Sequence, residues 1–220
     1  MCWNQDISIN TFLFACLTLL FVFITNTFTK YKTHFFDNPL MYLFILLVAS
    51  VQLIEFFLWR NLKNKNINHQ LTSLGSFIIA FQQLTLILMM PNVNTKYGTL
   101  LLFGVLIFLA YRIYKFLNNS NDDLTYVEQN GHLSWGWLNC KGYEKILIIP
   151  TLSLYILPLI SINNNLLSFF LILSLVISLF FYYKHNTFGT MWCWSSNLFL
   201  LCFIINILII QPFYEYNSLC

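Results

Sequence analysis

Residues 39–59 read PLMYLFILLVASVQLIEFFLW, an apolar run interrupted by one ionisable side chain, Glu55, and followed by Arg60, Lys63 and Lys65. The run does not alternate with period two. About 20 apolar residues cover a hydrocarbon core of roughly 30 Å as an α-helix. The basic residues behind it suit an interface. This one segment therefore makes lipid the solvent, and the rest of the chain has to agree with it.

It does. Six further runs have the same character: Ile9 to Phe28, Leu71 to Met90, Thr99 to Leu117, Ile146 to Ile162, Leu166 to Tyr183, and Thr190 to Pro212. Pro150 and Pro158 fall in the fifth span and are expected to kink it; Arg112 and Lys115 end the fourth and are expected to snorkel to the interface. The chain is 58% hydrophobic and 9% charged, where a soluble domain carries about 25% charge. That scarcity excludes a cytosolic enzyme, a disordered chain and a nucleic-acid-binding module; a net charge of +3 is too small to imply an anionic partner. The first run lacks the basic flank and A-x-A-like site of a cleavable signal. The expected fold is all-α: residues 1–220 as one polytopic bundle of seven transmembrane helices in a lipid bilayer.

Only the connection from Asn118 to Lys145 is long. Within it, Asn130-Gly131 separates Leu124-Thr125-Tyr126-Val127-Glu128 from His132-Leu133-Ser134-Trp135. Asn-Gly between β-prone residues predicts a small hairpin with positive φ at both central positions, lying over one mouth of the bundle.

Seven spans place the N-terminus and the loops after helices two, four and six on one face, here face A. Eight of the eleven Lys and Arg residues fall there, so the positive-inside rule predicts a cytoplasmic N-terminus and an external C-terminus. The first helix alone, with Lys30 and Lys32 behind it, argues the opposite orientation.

Face A also collects the unusual side chains. Cys2, Trp3 and Asn4 open the chain; Gln52, Glu55 and Trp59 form one stripe of the second helix. Asn68, His69 and Gln70 begin the third helix, His132 and Trp135 belong to the hairpin, Cys140 follows, and Trp192-Cys193-Trp194 opens the seventh helix. An ionisable residue inside a span, such as Glu55, marks a site or a specific contact. The stripe Ser73, Ser76, Ala80 and Gln83 reads as a helix-packing seam. All six tryptophans lie near face A, whereas an interface belt would populate both faces; this asymmetry points to a Trp-lined mouth. His69, His132 and His185 with Glu55 could hold Zn²⁺, though no H-x-x-x-H or H-E-x-x-H spacing is present. A disulfide among Cys2, Cys140 and Cys193 would require face A to be lumenal or external.

These segments also resemble something as a set. Met1-Cys2-Trp3-Asn4 with Ser8, the stretch Gln52 to Trp59, Ala80-Phe81-Gln82, His132-Leu133-Ser134-Trp135 and Met191-Trp192-Cys193-Trp194 resemble a family of polytopic membrane proteins of unknown activity found in large DNA viruses and microbes. The resemblance covers most of the chain. It implies a seven-helix fold with a shared feature on face A and supplies no activity. Some members have a His in the third helix where this chain has Ile78. Better-known seven-span families fit poorly: the last span has no Schiff-base Lys, no D-R-Y or N-P-x-x-Y occurs, and Pro-Gln appears only reversed, as Gln211-Pro212.

Three functions follow as expectations. The first is a non-catalytic protein that binds a small molecule or partner, or moves a solute, through the mouth on face A. The second is an intramembrane zinc-dependent lipid hydrolase built on Glu55, His69 and His132. The third is a structural or assembly component in which the cluster only holds loops together. Convergence of the cluster on one cavity, convergence on one metal position, or dispersal would separate them.

Overall fold

The computed structural model describes residues 4–118, 124–138, 148–162 and 165–219. The first four long helices begin where a polar side chain satisfies backbone donors that the first turn leaves open. Asn4 accepts from the N–H groups of Asp6 and Ile7 at the start of α1 (Gln5–Phe28), and Asn38 accepts from Leu40 at the start of α2 (Pro39–Asn61). Asn64 accepts from Ile67 ahead of α3 (Lys65–Leu88), and Thr95 accepts from Gly98 ahead of α4 (Lys96–Leu117). α5 (Ile148–Ser161) and α6 (Asn165–Tyr182) follow.

The last span is one helical run from Phe188 to Tyr216. It comprises α7 (Phe188–Asn197), α8 (Phe199–Ile205), a π-helical turn (Asn206–Ile210) and α9 (Gln211–Leu219). Pro212 has no N–H to donate, and its ring would crowd the carbonyl of Leu208. The wide turn just before it, closed by Gln211 N–H on the Asn206 carbonyl, takes up that misfit.

Among the described residues six helices are long and apolar enough to cross a membrane: Gln5–Phe28, Pro39–Asn61, Lys65–Leu88, Lys96–Leu117, Leu167–His185 and Phe188–Tyr216. Of the expected fifth span, Ile146 to Ile162, the described residues show the part from Ile148. α5 has 14 residues, about 21 Å at the α-helical rise, against roughly 30 Å of hydrocarbon. Leu154 packs near Gly104 in the middle of α4, and Gln83, well down α3, donates to the Thr151 carbonyl at 3.0 Å. These contacts put α5 in the part of the bundle remote from the loop that follows α4.

α2 lies at the centre, packed along its length on α1 and α3 and touched by α7. α4 and α6 are peripheral. Leu100, Phe103, Leu106 and Ile107 on α4, and Phe169, Val176 and Phe180 on α6, are exposed, as lipid-facing side chains should be. At the end opposite the hairpin, Phe35, Phe36, Phe199 and Phe203 form an aromatic cluster with ring centroids 4.7–5.5 Å apart. There Glu215 pairs with Lys30 and accepts from the Tyr31 hydroxyl at 2.8 Å, tying the last helix to the α1–α2 connection.

The hairpin is present, with two corrections. β1 (Tyr126–Val127) and β2 (Leu133–Ser134) pair antiparallel, Tyr126 opposite Ser134 and Val127 opposite Leu133. Of the two central residues only Gly131 has positive φ, at 78°. Gly131 N–H bonds the Glu128 carbonyl at 2.8 Å and Glu128 N–H bonds the His132 carbonyl at 2.9 Å, which is a turn closed by a glycine bulge. Nor does the hairpin merely lie over the mouth. Leu133, Ser134 and Trp135 are buried, and a short 3₁₀ turn (Gly136–Leu138) continues inward.

Two glycines make room for this insertion. A Cβ at Gly75 of α3 would stand 2.1 Å from Trp135 Cζ3, and one at Gly189 of α7 would stand 2.5 Å from Leu138 Cδ1. Arg112 turns inward as well. The expected snorkelling fails because its Nε donates to Ser76 Oγ at 3.0 Å and its guanidinium lies 5.9 Å from the Trp137 ring centre. Ser76, read from sequence as part of a packing seam, is thus also a polar partner for α4.

Gly75→Ala should displace the Trp135 indole and destabilise the protein by about 1–3 kcal/mol. Gly104→Ala should cost far less, because its Cβ would meet only the end of the Leu154 side chain at 3.1 Å. Thermal unfolding of both variants in the same detergent checks this ordering.

Candidate functional site

The hairpin is fastened to three helices by side chains that replace the hydrogen bonds its backbone would otherwise make to water. Asn68, in the first turn of α3, accepts from Thr125 N–H at 2.9 Å and donates to the Thr125 carbonyl at 2.8 Å, as a neighbouring β-strand would. Thr72, one helical turn on, bonds the Thr125 hydroxyl at 2.8 Å. Asn130 donates to Thr187 at 2.9 Å, and Ser134 donates to the Asn186 carbonyl at 3.3 Å, where the chain enters α7. Every backbone group satisfied this way avoids the cost of burial without a partner.

At the inner end of the hairpin stands Glu55 on α2, with 2% of its surface exposed. Trp135 Nε1 donates to Glu55 Oε1 at 3.2 Å and to Thr190 Oγ1 at 3.1 Å. Thr190 in turn donates to the Leu133 carbonyl at 2.8 Å. The carboxyl is also flanked by the Thr190 hydroxyl and by Gln52, one turn back on α2. Among the described residues the ion pairs are Lys30–Glu215 and His34–Asp37, and neither involves Glu55. A carboxyl at this depth is tolerable as a neutral acid or beside a cation.

Trp135 also roofs a cavity of about 30 Å³, enough for about two waters. Its walls come from α2 (Val51), α3 (Gly75, Ile79), α5 (Thr151, Tyr155) and α7 (Phe188, Trp192, Cys193), and they are almost wholly apolar. Tyr155 donates to Gln82 Oε1 at 2.6 Å, while Trp192 donates to the Leu171 carbonyl of α6 at 3.2 Å and meets Tyr155 edge to face at 4.9 Å.

The predicted cluster therefore separates into parts. Gln52, Glu55, His132, Trp135, Trp192 and Cys193 are buried around the hairpin and the cavity, with Trp59 half-buried at the edge of the core. Asn4 is an exposed helix cap. Cys2, Trp3 and Cys140 lie outside the described residues, and Cys193 is a free thiol.

The metal alternative does not assemble. Among the described residues no three His, Cys, Asp or Glu side chains come together as a ligand set. His69 instead stacks on Phe116 at 5.7 Å, and His132 meets Tyr182 edge to face at 5.3 Å. Burial above all pushes the His132 imidazole down to about 4. A zinc-bound His69, His132, His185 and Glu55 set would require these rings to abandon their present partners.

Four contributors escaped the sequence reading: Thr190, Thr125, Gly75 and Tyr155. An isolated glycine in a helical run is a signal of close packing, and a tyrosine in an otherwise apolar span signals a buried acceptor. Thr125 and Thr190 carry no local signal.

Asn68→Ala would strand the buried Thr125 N–H and carbonyl, at a cost of about 1–3 kcal/mol. Hydrogen exchange at residues 124–134 should rise more than exchange in α2. The His132 shift has a definite sign. Its ring prefers the neutral form when the hairpin is seated, so seating is complete above the ordinary His value of about 6.5 and weakens as pH falls toward about 4. Exchange in the hairpin should follow that acid limb in wild type and lose it in His132→Gln.

Set against family models, curated proteins and solved structures, the chain matches none of them.

Proposed function

We propose that this integral membrane protein is non-catalytic and binds a small, mainly apolar molecule in the pocket beneath the hairpin, entering from face A. The observation that carries the reading is the double role of Trp135. Its indole seals the cavity lined by Tyr155, Trp192 and Cys193, and it is held by hydrogen bonds and ring packing alone, which can be exchanged for those of a ligand. Aromatic walls with a few polar groups at the rim are the usual make-up of a small-molecule site. At about 30 Å³ the closed pocket holds little more than water, so binding requires the hairpin to lift.

Seven crossings, a cytoplasmic face A and kinship with the viral and microbial membrane family belong to the same proposal. In it α5 supplies the seventh crossing.

A second reading, a structural or assembly component, has one observation in its favour. Asn68, Thr72, Asn130, Thr187 and Ser134 are all spent on fastening the hairpin, leaving few polar groups for a partner.

The two readings differ in whether the pocket opens. With every other cysteine replaced by serine, Cys193 should react slowly with a water-soluble methanethiosulfonate in lipid nanodiscs. Trp135→Ala should speed that reaction at least tenfold, and Ile79→Trp, which fills the pocket, should slow it again. Equal rates in all three proteins would remove the pocket reading and leave the structural one.

A further inference from the structure

The groups that hold the Trp135 N–H define what can take its place. Nε1 donates to Glu55 Oε1 at 3.2 Å and to Thr190 Oγ1 at 3.1 Å, so both partners act as acceptors. The Thr190 proton is directed to the Leu133 carbonyl at 2.8 Å, and the indole is met by a lone pair. A molecule that displaces the indole therefore meets two acceptors where Nε1 stood and has to bring donors of its own. A carboxylate or phosphate would set lone pairs against lone pairs there.

Charge narrows the choice. Glu55 is buried, and the ion pairs among the described residues, Lys30–Glu215 and His34–Asp37, leave it out. Arg112 of α4 faces Trp137 and donates to Ser76. Gln52, one turn back on α2, is buried with no partner for its Nε2. It offers an ionised Glu55 a neutral donor, and the counter-charge is left to a ligand. The walls below suit a cation too. Phe188, Tyr155, Trp192 and Trp137 line the cavity, Tyr155 and Trp192 meeting edge to face at 4.9 Å. Ring faces attract a cation within about 6 Å. The rest of the lining, Val51 and Ile79 among it, suits an apolar body.

We propose that the ligand of this pocket is a small amine, bound as its ammonium. Its N–H groups replace that of Trp135 on Glu55 and Thr190, and its apolar body enters the cavity. The inference rests on the reading of the hairpin as a roof and names what the roof admits. The closed cavity of about 30 Å³ gains only the room that the indole vacates, so the body is of the size of one aromatic ring and not of a lipid tail.

Titration calorimetry on the full chain in nanodiscs at neutral pH, with empty nanodiscs subtracted, tests the assignment. The probes are 2-phenylethylamine, an ammonium under these conditions, and 2-phenylethanol, its neutral analogue with a single donor. Wild type should bind the amine roughly tenfold more tightly than the alcohol. Glu55→Gln should abolish that preference. Trp135→Phe keeps a ring over the cavity but removes the competing N–H, so it should tighten amine binding and retain the preference. Equal binding of amine and alcohol by wild type, or binding of neither, overturns the assignment. A preference that survives Glu55→Gln overturns it as well, and so does weaker amine binding in Trp135→Phe. If Glu55→Gln fails to fold, wild type and Trp135→Phe decide alone. Cys193 labelling judges the roof separately: if Trp135→Ala leaves it unchanged, the pocket fails, while the calorimetric preference and its dependence on Glu55 still decide the ammonium site.

Discussion

The N–H of Trp135 is the interaction on which the rest of this structure turns. An indole has one donor, and here it bridges Glu55 of α2 and Thr190 of α7, with its ring laid over Gly75 of α3. In water such a shared bond would contribute little. Buried away from water, no solvent competes for it, and without it the Trp135 N–H would be a buried donor with no acceptor. Three helices and the hairpin are thereby held to one geometry by a single side chain, and the cavity, the burial of Glu55 and the path of the loop all follow from it.

The architecture divides by solvent. The half of the bundle remote from the hairpin is ordinary membrane packing: aromatic rings at the α1–α2 connection, Gln82 and Gln83 bonding backbone carbonyls, and an exposed apolar surface on α4 and α6. The hairpin half is built more like a soluble core, with Asn, Thr and Ser side chains closing backbone bonds.

Much of this was legible in the sequence because lipid imposes a blunt rule. A run such as residues 39–59 has to be a buried helix, and Glu55 within it has to have partners. Asn130-Gly131 announced the turn. What could not be read was everything set by distant pairing. Asn68 and Thr125 are 57 positions apart, as are Leu133 and Thr190, and neither pair leaves a local pattern. The expectation for Arg112 failed for the same reason. Snorkelling considers only the distance to the interface, whereas Ser76 and Trp137 offered a partner inside.

The partners of the hairpin also fix an order of events. Residues 124–138 leave the ribosome after α2 and α3 but well before Thr187, Gly189 and Thr190 exist. The loop can bind Asn68 and Thr72 early, yet the final bonds have to wait for the last span. Seating of Trp135 thus has to wait until α7 has packed beside α2 and α3.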